Sequence, residues 1–186
     1  TIPGADLAHV FTVPALGEWL RDDGDAVGTN VAVLGGGKVG LTLADLCHRR
    51  GRKVSVIEPT HVFAPELGIP GRFRLVADAE ANGIELVARA VVTGIDAAGV
   101  HVQVDDTTRT IAADTVIIAS GATPAPGLSD ALRAAGIHAH VAGDCHQLAR
   151  IEGANLDAAA SPRRRHRRPR AATRPFRGVP SPRRPM

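Results

Sequence analysis

The chain has 186 residues, enough for one ordinary domain or two small ones; with 44% hydrophobic residues, 3% aromatics and no tyrosine, any core must be Val, Leu, Ile and Ala. No apolar run approaches the roughly 20 residues of a membrane-spanning helix, no basic-then-apolar leader opens the chain, and Cys47 and Cys145 have neither metal nor C-x-x-C spacing, so the expectation is a cytoplasmic protein with no membrane partner. The net charge of +3 hides two materials: residues 1–160 carry 12 basic and 19 acidic side chains, a net of −7, whereas residues 161–186 carry ten Arg and no acid.

In chain order, "VAVLG" (31–35) predicts a short apolar strand of a parallel sheet covered on both faces. "KVGLTLADLCHRRG" (38–51) predicts an amphipathic helix with Val39, Leu43, Leu46 and Cys47 on one face, Arg49 and Arg50 in its last turn and Gly51 as its stop. "KVSVIEP" (53–59) is a second strand, halted by Pro59, and "GRFRLVADAEANG" (71–83) a second helix. "IELVARAVVTGID" (84–96), "GVHVQVDD" (99–106) and "TRTIAADTVIIAS" (108–120) are rich in β-formers and separated by turn residues. "SDALRAAG" (129–136) predicts a short helix with Ser129 as N-cap, "IHAHVAGD" (137–144) a last strand, and "ARIEGANLDAAA" (149–160) the start of a helix. The alternation predicts an α/β fold: a Rossmann-like doubly wound parallel sheet with a β-meander crossover.

The glycines Gly35-x-Gly37-x-x-Gly40 sit at the strand-to-helix turn. Gly35 permits a tight turn, Gly37 lets backbone approach a pyrophosphate, and Gly40 lets the helix pack close to the sheet. The helix start offers unpaired N–H groups and a positive dipole end to phosphate. The loop and first turn, Gly35, Gly36, Gly37, Lys38, Val39 and Gly40, are therefore a candidate dinucleotide site; the alternative is merely a tight turn. Glu58 ends the next strand 18 residues after Gly40, close to where an acid accepts hydrogen bonds from the adenosine ribose. A carboxylate there repels a 2′-phosphate and favours NADH over NADPH, although Arg52 and His61 are nearby cations; the alternative is a solvated strand-end acid.

Several separated stretches carry a family resemblance. "TIPGADLAHVFTV" (Thr1–Val13) resembles the connector out of the FAD domain of two-dinucleotide flavoprotein reductases, and "VAVLGGGKVG" with "VSVIEP" resembles their NAD(P)H domain. "ADTVIIASGATPAP" (Ala113–Pro126), with Ala119-Ser120-Gly121, is similar to their second strand–glycine crossing, and "VAGDC" (Val141–Cys145) to the Gly-Asp motif at the return to the FAD domain. The order and wording look most like the C-terminal region of 2,4-dienoyl-CoA reductase, trimethylamine dehydrogenase and the old-yellow-enzyme-linked oxidoreductases. The resemblance implies a nicotinamide nucleotide on the glycine loop, Gly121 in the crossing, and FAD held by Gly143 and Asp144, the latter at the ribityl chain. It further implies electron flow from NADH to FAD, then through an iron–sulfur centre to FMN and an unsaturated substrate. The glycine motif for FAD, the FMN barrel and the iron–sulfur cysteines are not found in this sequence. The expectation is thus an NADH-binding portion, incomplete as a standalone enzyme, whose partners are the FAD and FMN domains of a parent protein, and which does not retain FAD alone. A turn-forming Asp is the alternative for Asp144.

No acid or base is required for hydride transfer between two cofactors. His138 and His140 share one face of the expected last strand without a third metal ligand, His101 shows no partner, and Cys145 is either a thiol beside the flavin or a small buried residue. "SPRRRHRRPRAATRPFRGVPSPRRPM" (161–186) has too little apolar surface to offset ordering entropy and predicts disorder. Three readings stay open for it: a basic arm for nucleic acid or another anionic partner, an idle solvated tail, or a stretch read out of frame. In the first the chain is a non-catalytic nucleotide-binding remnant or module whose tail docks on the anionic partner. The expected organisation is a connector over 1–29, an NAD(H) domain over 30–122, a return segment over 123–160 and the tail over 161–186.

Overall fold

The computed structural model describes residues 2–22, 26–148 and 150–161; the Arg-rich tail, beyond Ser161, lies outside the described residues. The chain divides into two compact units, residues 1–122 and 123–186.

The first unit is built on a parallel sheet of β1 (Val10–Thr12), β2 (Asn30–Leu34), β3 (Lys53–Ile57), β4 (Glu85–Val87) and β8 (Thr115–Ile118), in the order β1-β8-β2-β3-β4. The pairing register aligns Val31 with Val54 and Thr115, and Leu34 with Ile57 and Ile118. Strand side chains alternate between faces, and both faces are apolar here because both are covered. Val31, Val33, Val54, Val56 and Ile117 pack against α2 (Lys38–Arg49), α3 (Ile69–Ala81) and the α1 segment (Gly17–Asp22), whose Trp19 is buried. Ala32, Leu34, Ile57, Val87 and Val116 pack against an antiparallel meander of β5 (Ala90–Asp96), β6 (Gly99–Val104) and β7 (Thr107–Ala112), through Ala90, Ile95, Val100, Val102 and Ile111. One face is thus wound by helices and the other by the meander.

The stretches 84–96 and 108–120 each contain two strands that belong to different sheets. Arg89, at a left-handed φ of +52°, turns the chain from β4 into β5. Asp114 turns it from β7 into β8, accepting hydrogen bonds from the backbone N–H groups of Thr29 and Asn30 at 3.1 and 3.0 Å. Ser55, on the meander side of β3, donates to Glu85 Oε2 at 2.7 Å, and Arg109 of β7 donates to Glu85 Oε1 at 3.4 Å. The residues read as a connector, 1–29, supply β1 to this same sheet and the buried Leu16 and Trp19 to its core. The Arg50 guanidinium stacks 4.4 Å from the Trp19 ring centre and donates to the carbonyls of Trp19 and Leu20.

Helix α2 buries most of the face the spacing predicts: Leu43 and Cys47 are buried and Leu46 packs against the core, and only Val39 departs from it. Gly40, Leu41, Leu43, Ala44 and Cys47 are buried, while Val39 is 50% exposed. The buried face also takes in Gly40, which meets the glycine loop, and Leu41 and Ala44. Gly51 and Gly83, with φ of +78° and +74°, follow the ends of α2 and α3 as read.

The second unit holds α4 (Gly127–Ala134), a short 3₁₀ turn over Gly143–Cys145 and α5 (Arg150–Ala160). Ser129 is not the N-cap of α4; that position is Pro126, and the Ser129 hydroxyl donates to the Pro126 carbonyl at 2.7 Å. Residues 137–144 do not form the expected strand. A strand takes its backbone hydrogen bonds from a neighbour, and among the described residues none pairs with this segment. His138 and His140 are consequently exposed in irregular backbone, and no group of three or more metal-ligating side chains occurs among the described residues. No helix among them is long and apolar enough to cross a membrane.

Candidate functional site

The carboxyl ends of β2, β3 and β8 converge on the glycine loop. Gly35, at φ +111°, donates its N–H to the Ile57 carbonyl at 2.8 Å, and Ala119, just past β8, donates to Leu34 at 2.9 Å. A Cβ on Gly35 would stand 2.9 Å from the Ser120 Cβ, so the Ala119-Ser120-Gly121 crossing is packed onto the loop. Gly121 itself is exposed, with φ +78°. A Cβ on Gly36 would meet the Phe63 ring at 2.4 Å, and one on Gly40 would lie 1.8 Å from the Gly35 carbonyl oxygen. These three glycines are therefore required by the protein's own packing.

Gly37 differs. Its φ of −70° and ψ of 178° are open to any residue, and an added Cβ would meet only the end of the Glu66 side chain, at 3.0 Å. It is the N-cap of α2, and the backbone N–H groups of Lys38, Val39 and Gly40 begin the helix with no carbonyl a turn behind them. The lack of a side chain at Gly37 leaves space at a positive helix end, the arrangement that binds phosphate. Lys38 and Val39 both face outward here.

Glu58 is clamped beside this end. Its N–H donates to Val87 and its carbonyl accepts from Ala90, at 2.9 and 3.0 Å. Its carboxylate accepts from the Gly36 N–H at 2.8 Å through Oε2, and from the Thr60 N–H and hydroxyl at 3.0 and 2.9 Å through Oε1. A carboxylate has about four acceptor positions, so these three bonds orient it and leave capacity for a hydroxyl donor. Arg52 does not offset its charge: it precedes β3 while Glu58 follows it, five residues or roughly 16 Å of strand apart. The Arg52 guanidinium instead donates to the Arg50 and Val27 carbonyls. His61 is exposed.

Glu66 was not singled out by any spacing in the sequence. Its Oε1 accepts a hydrogen bond from the Lys38 N–H, at the start of α2. The loop that carries it is tied to the glycine loop, where the Ala64 N–H donates to the Gly36 carbonyl at 2.7 Å.

The site is thus a Cβ-free helix N-terminus between two parallel strands, with an oriented acid at the end of the second. The sequence profile described as pyridine nucleotide-disulphide oxidoreductase matches residues 1–145. The chain belongs to this family. Its members are flavoproteins that bind FAD and NAD(P)H. A bilirubin reductase of Mediterraneibacter gnavus is 30% identical over 149 residues, 80% of this chain and 22% of that protein. A rubredoxin-NAD(+) reductase of Ectopseudomonas oleovorans is 37% identical over 98 residues, 51% of this chain and 26% of that one. The chain therefore spans about a quarter of the length of these relatives. A structure of 2-naphthoyl-CoA reductase with 2-naphthoyl-CoA superposes with a TM-score of 0.75 at 21% identity, over 84% of this chain and 24% of that one, which establishes a shared fold.

Val141–Cys145, the stretch similar to a Gly-Asp motif, lies in the second unit. Gly143 is buried at φ +79° and donates its N–H to Asp157 Oδ2 at 3.0 Å; Asp157 Oδ1 lies 3.4 Å from His146 Nδ1. Asp144 is exposed. Cys145 is exposed as well, not buried, with its thiol against the Ala142 carbonyl at 3.2 Å. Asp157 is a second residue that sequence spacing did not mark. His101, which showed no partner in the sequence, bonds Asp96 Oδ2 at 2.7 Å and Thr110 Oγ1 at 2.9 Å on the meander. The hydrogen bond from His101 holds the Asp96 carboxyl below the usual carboxylate range. This cluster is a surface feature of the meander strands.

Proposed function

We propose that residues 1–122 bind the pyrophosphate of a nicotinamide dinucleotide at the N-terminus of α2, prefer NADH to NADPH, and present the nucleotide to a flavin of the parent protein. One observation carries the reading: Gly37 is the glycine of the loop whose missing side chain the protein's own backbone and packing do not require. Gly35, Gly36 and Gly40 shape the loop, and the first turn of α2 supplies N–H donors. Glu58 is held at the β3 end to accept from ribose hydroxyls. Its charge, unopposed by Arg52, repels a 2′-phosphate. When bound, the nicotinamide supplies a hydride and the flavin accepts it. The part of this chain is to hold and orient the nucleotide, and no side-chain proton transfer is needed.

The stretches Thr1–Val13, Ala113–Pro126 and Val141–Cys145 support assignment to the 2,4-dienoyl-CoA reductase-like branch. Titration calorimetry on the full chain tests the nucleotide reading. Gly37→Val should weaken NADH binding at least a hundredfold, about 2.7 kcal/mol, with an unchanged circular dichroism spectrum. A folded variant that binds NADH as the parent chain does sinks the assignment.

A further inference from the structure

The N-terminus of α2 already has an anion beside it. Glu66 Oε1 accepts the Lys38 N–H and stands 3.0 Å from the point where a Gly37 Cβ would lie. That is the space, and one of the donors, that the nucleotide reading gives to the pyrophosphate. Two anions cannot share one N–H at close range without strong repulsion.

We infer that Glu66 is an intramolecular competitor of the dinucleotide: its carboxylate holds the helix end that the pyrophosphate needs, and binding requires it to swing away. The inference rests on the nucleotide reading above and concerns how that site is regulated. The backbone around Glu66 is suited to such a side-chain switch. On one side, Ala64 is buried, held at φ +45°, and bonded to the Gly36 carbonyl. On the other, the Leu67 N–H closes a turn onto the Ala64 carbonyl at 3.0 Å, and Gly68 is the N-cap of α3. Both flanks are fixed, whereas Glu66 itself is half-buried. A nucleotide must then displace a tethered anion, which lowers apparent affinity by the fraction of time the carboxylate sits on α2.

The test is calorimetric titration of NADH into the full 186-residue chain, E66Q and E66A. Affinity should rise in the order parent, E66Q, E66A, to about tenfold for E66A, since the uncharged amide competes less and alanine not at all. The Tm of E66A should fall, because α2 loses a bond at its N-terminus. ADP should show the same ranking, whereas adenosine, which has no phosphate, should not distinguish the three chains. Unchanged or weaker NADH and ADP binding in both variants overturns the inference and makes Glu66 a structural cap. A ranking shared by adenosine also overturns it, because the effect would not be at the phosphate. If none of the three chains binds NADH or ADP, the nucleotide reading falls, and this inference with it.

Discussion

The end of β2 and the segment 137–145 carry similar signals, an apolar stretch running into a glycine motif, and they meet different fates. Val31–Leu34 lies between two parallel neighbours, β3 and β8, and its glycine loop is gripped by Ile57, Ser120 and Phe63. Residues 137–142 have no such neighbours among the described residues and stay irregular, although Gly143 still takes its left-handed turn and is fastened to Asp157. A glycine motif records a local backbone conformation. It becomes a binding site only when strands on either side place the helix end, the acid and the crossing together.

The largest effect expected is at the gripped loop. Gly40→Val places branched carbon against the Gly35 carbonyl, which already lies 1.8 Å from a Cβ position. The chain cannot yield there without moving α2 off the sheet, so the cost should reach about 3 kcal/mol or more. Urea unfolding measures it, and a midpoint equal to that of the parent chain would show that the loop is not rigid.

The return segment should not act as a flavin site by itself. One charge-assisted hydrogen bond at Asp144 contributes about 1.5–3 kcal/mol, whereas a micromolar complex needs about 8. The purified 186-residue chain should therefore be colourless and inactive in NADH-driven dye reduction. Stoichiometric FAD in its visible spectrum would mean that the segment is a working site after all.

A smaller effect sharpens the loop's chemistry. Glu58→Arg exchanges a charge that repels the 2′-phosphate for one that attracts it. NADPH affinity should rise and NADH affinity fall, each by about tenfold, 1.4 kcal/mol. Tighter binding of NADPH than of NADH to the unmodified chain would reverse the discrimination assigned to this carboxylate. The smallest change is expected at Asp157→Ala, which frees the Gly143 N–H. It should cost about 1 kcal/mol locally, read as faster hydrogen exchange over 137–160. Exchange in residues 26–122 should not change, and a spread of the effect into β2 or β3 would show that the two units share stability.

The sequence by itself determined the α/β class, the strand–loop–helix of residues 31–51, and the pairing of that loop with Glu58, because these depend on short-range periodicity and on glycine at an interval of known meaning. It also marked the stops at Gly51 and Gly83. Only the tertiary structure decided that Val39 is exposed while Gly40, Leu41 and Ala44 join Leu43 and Cys47 on the buried face of α2. It alone separated Gly37 from the other loop glycines, as that distinction depends on what a Cβ would touch. It sent Arg52 to the far end of β3, gave Glu66 its place on α2, and left 137–142 without the neighbour that a strand requires. Each of these is a relation between residues distant in the chain or set by packing, and such a relation leaves no spacing to read.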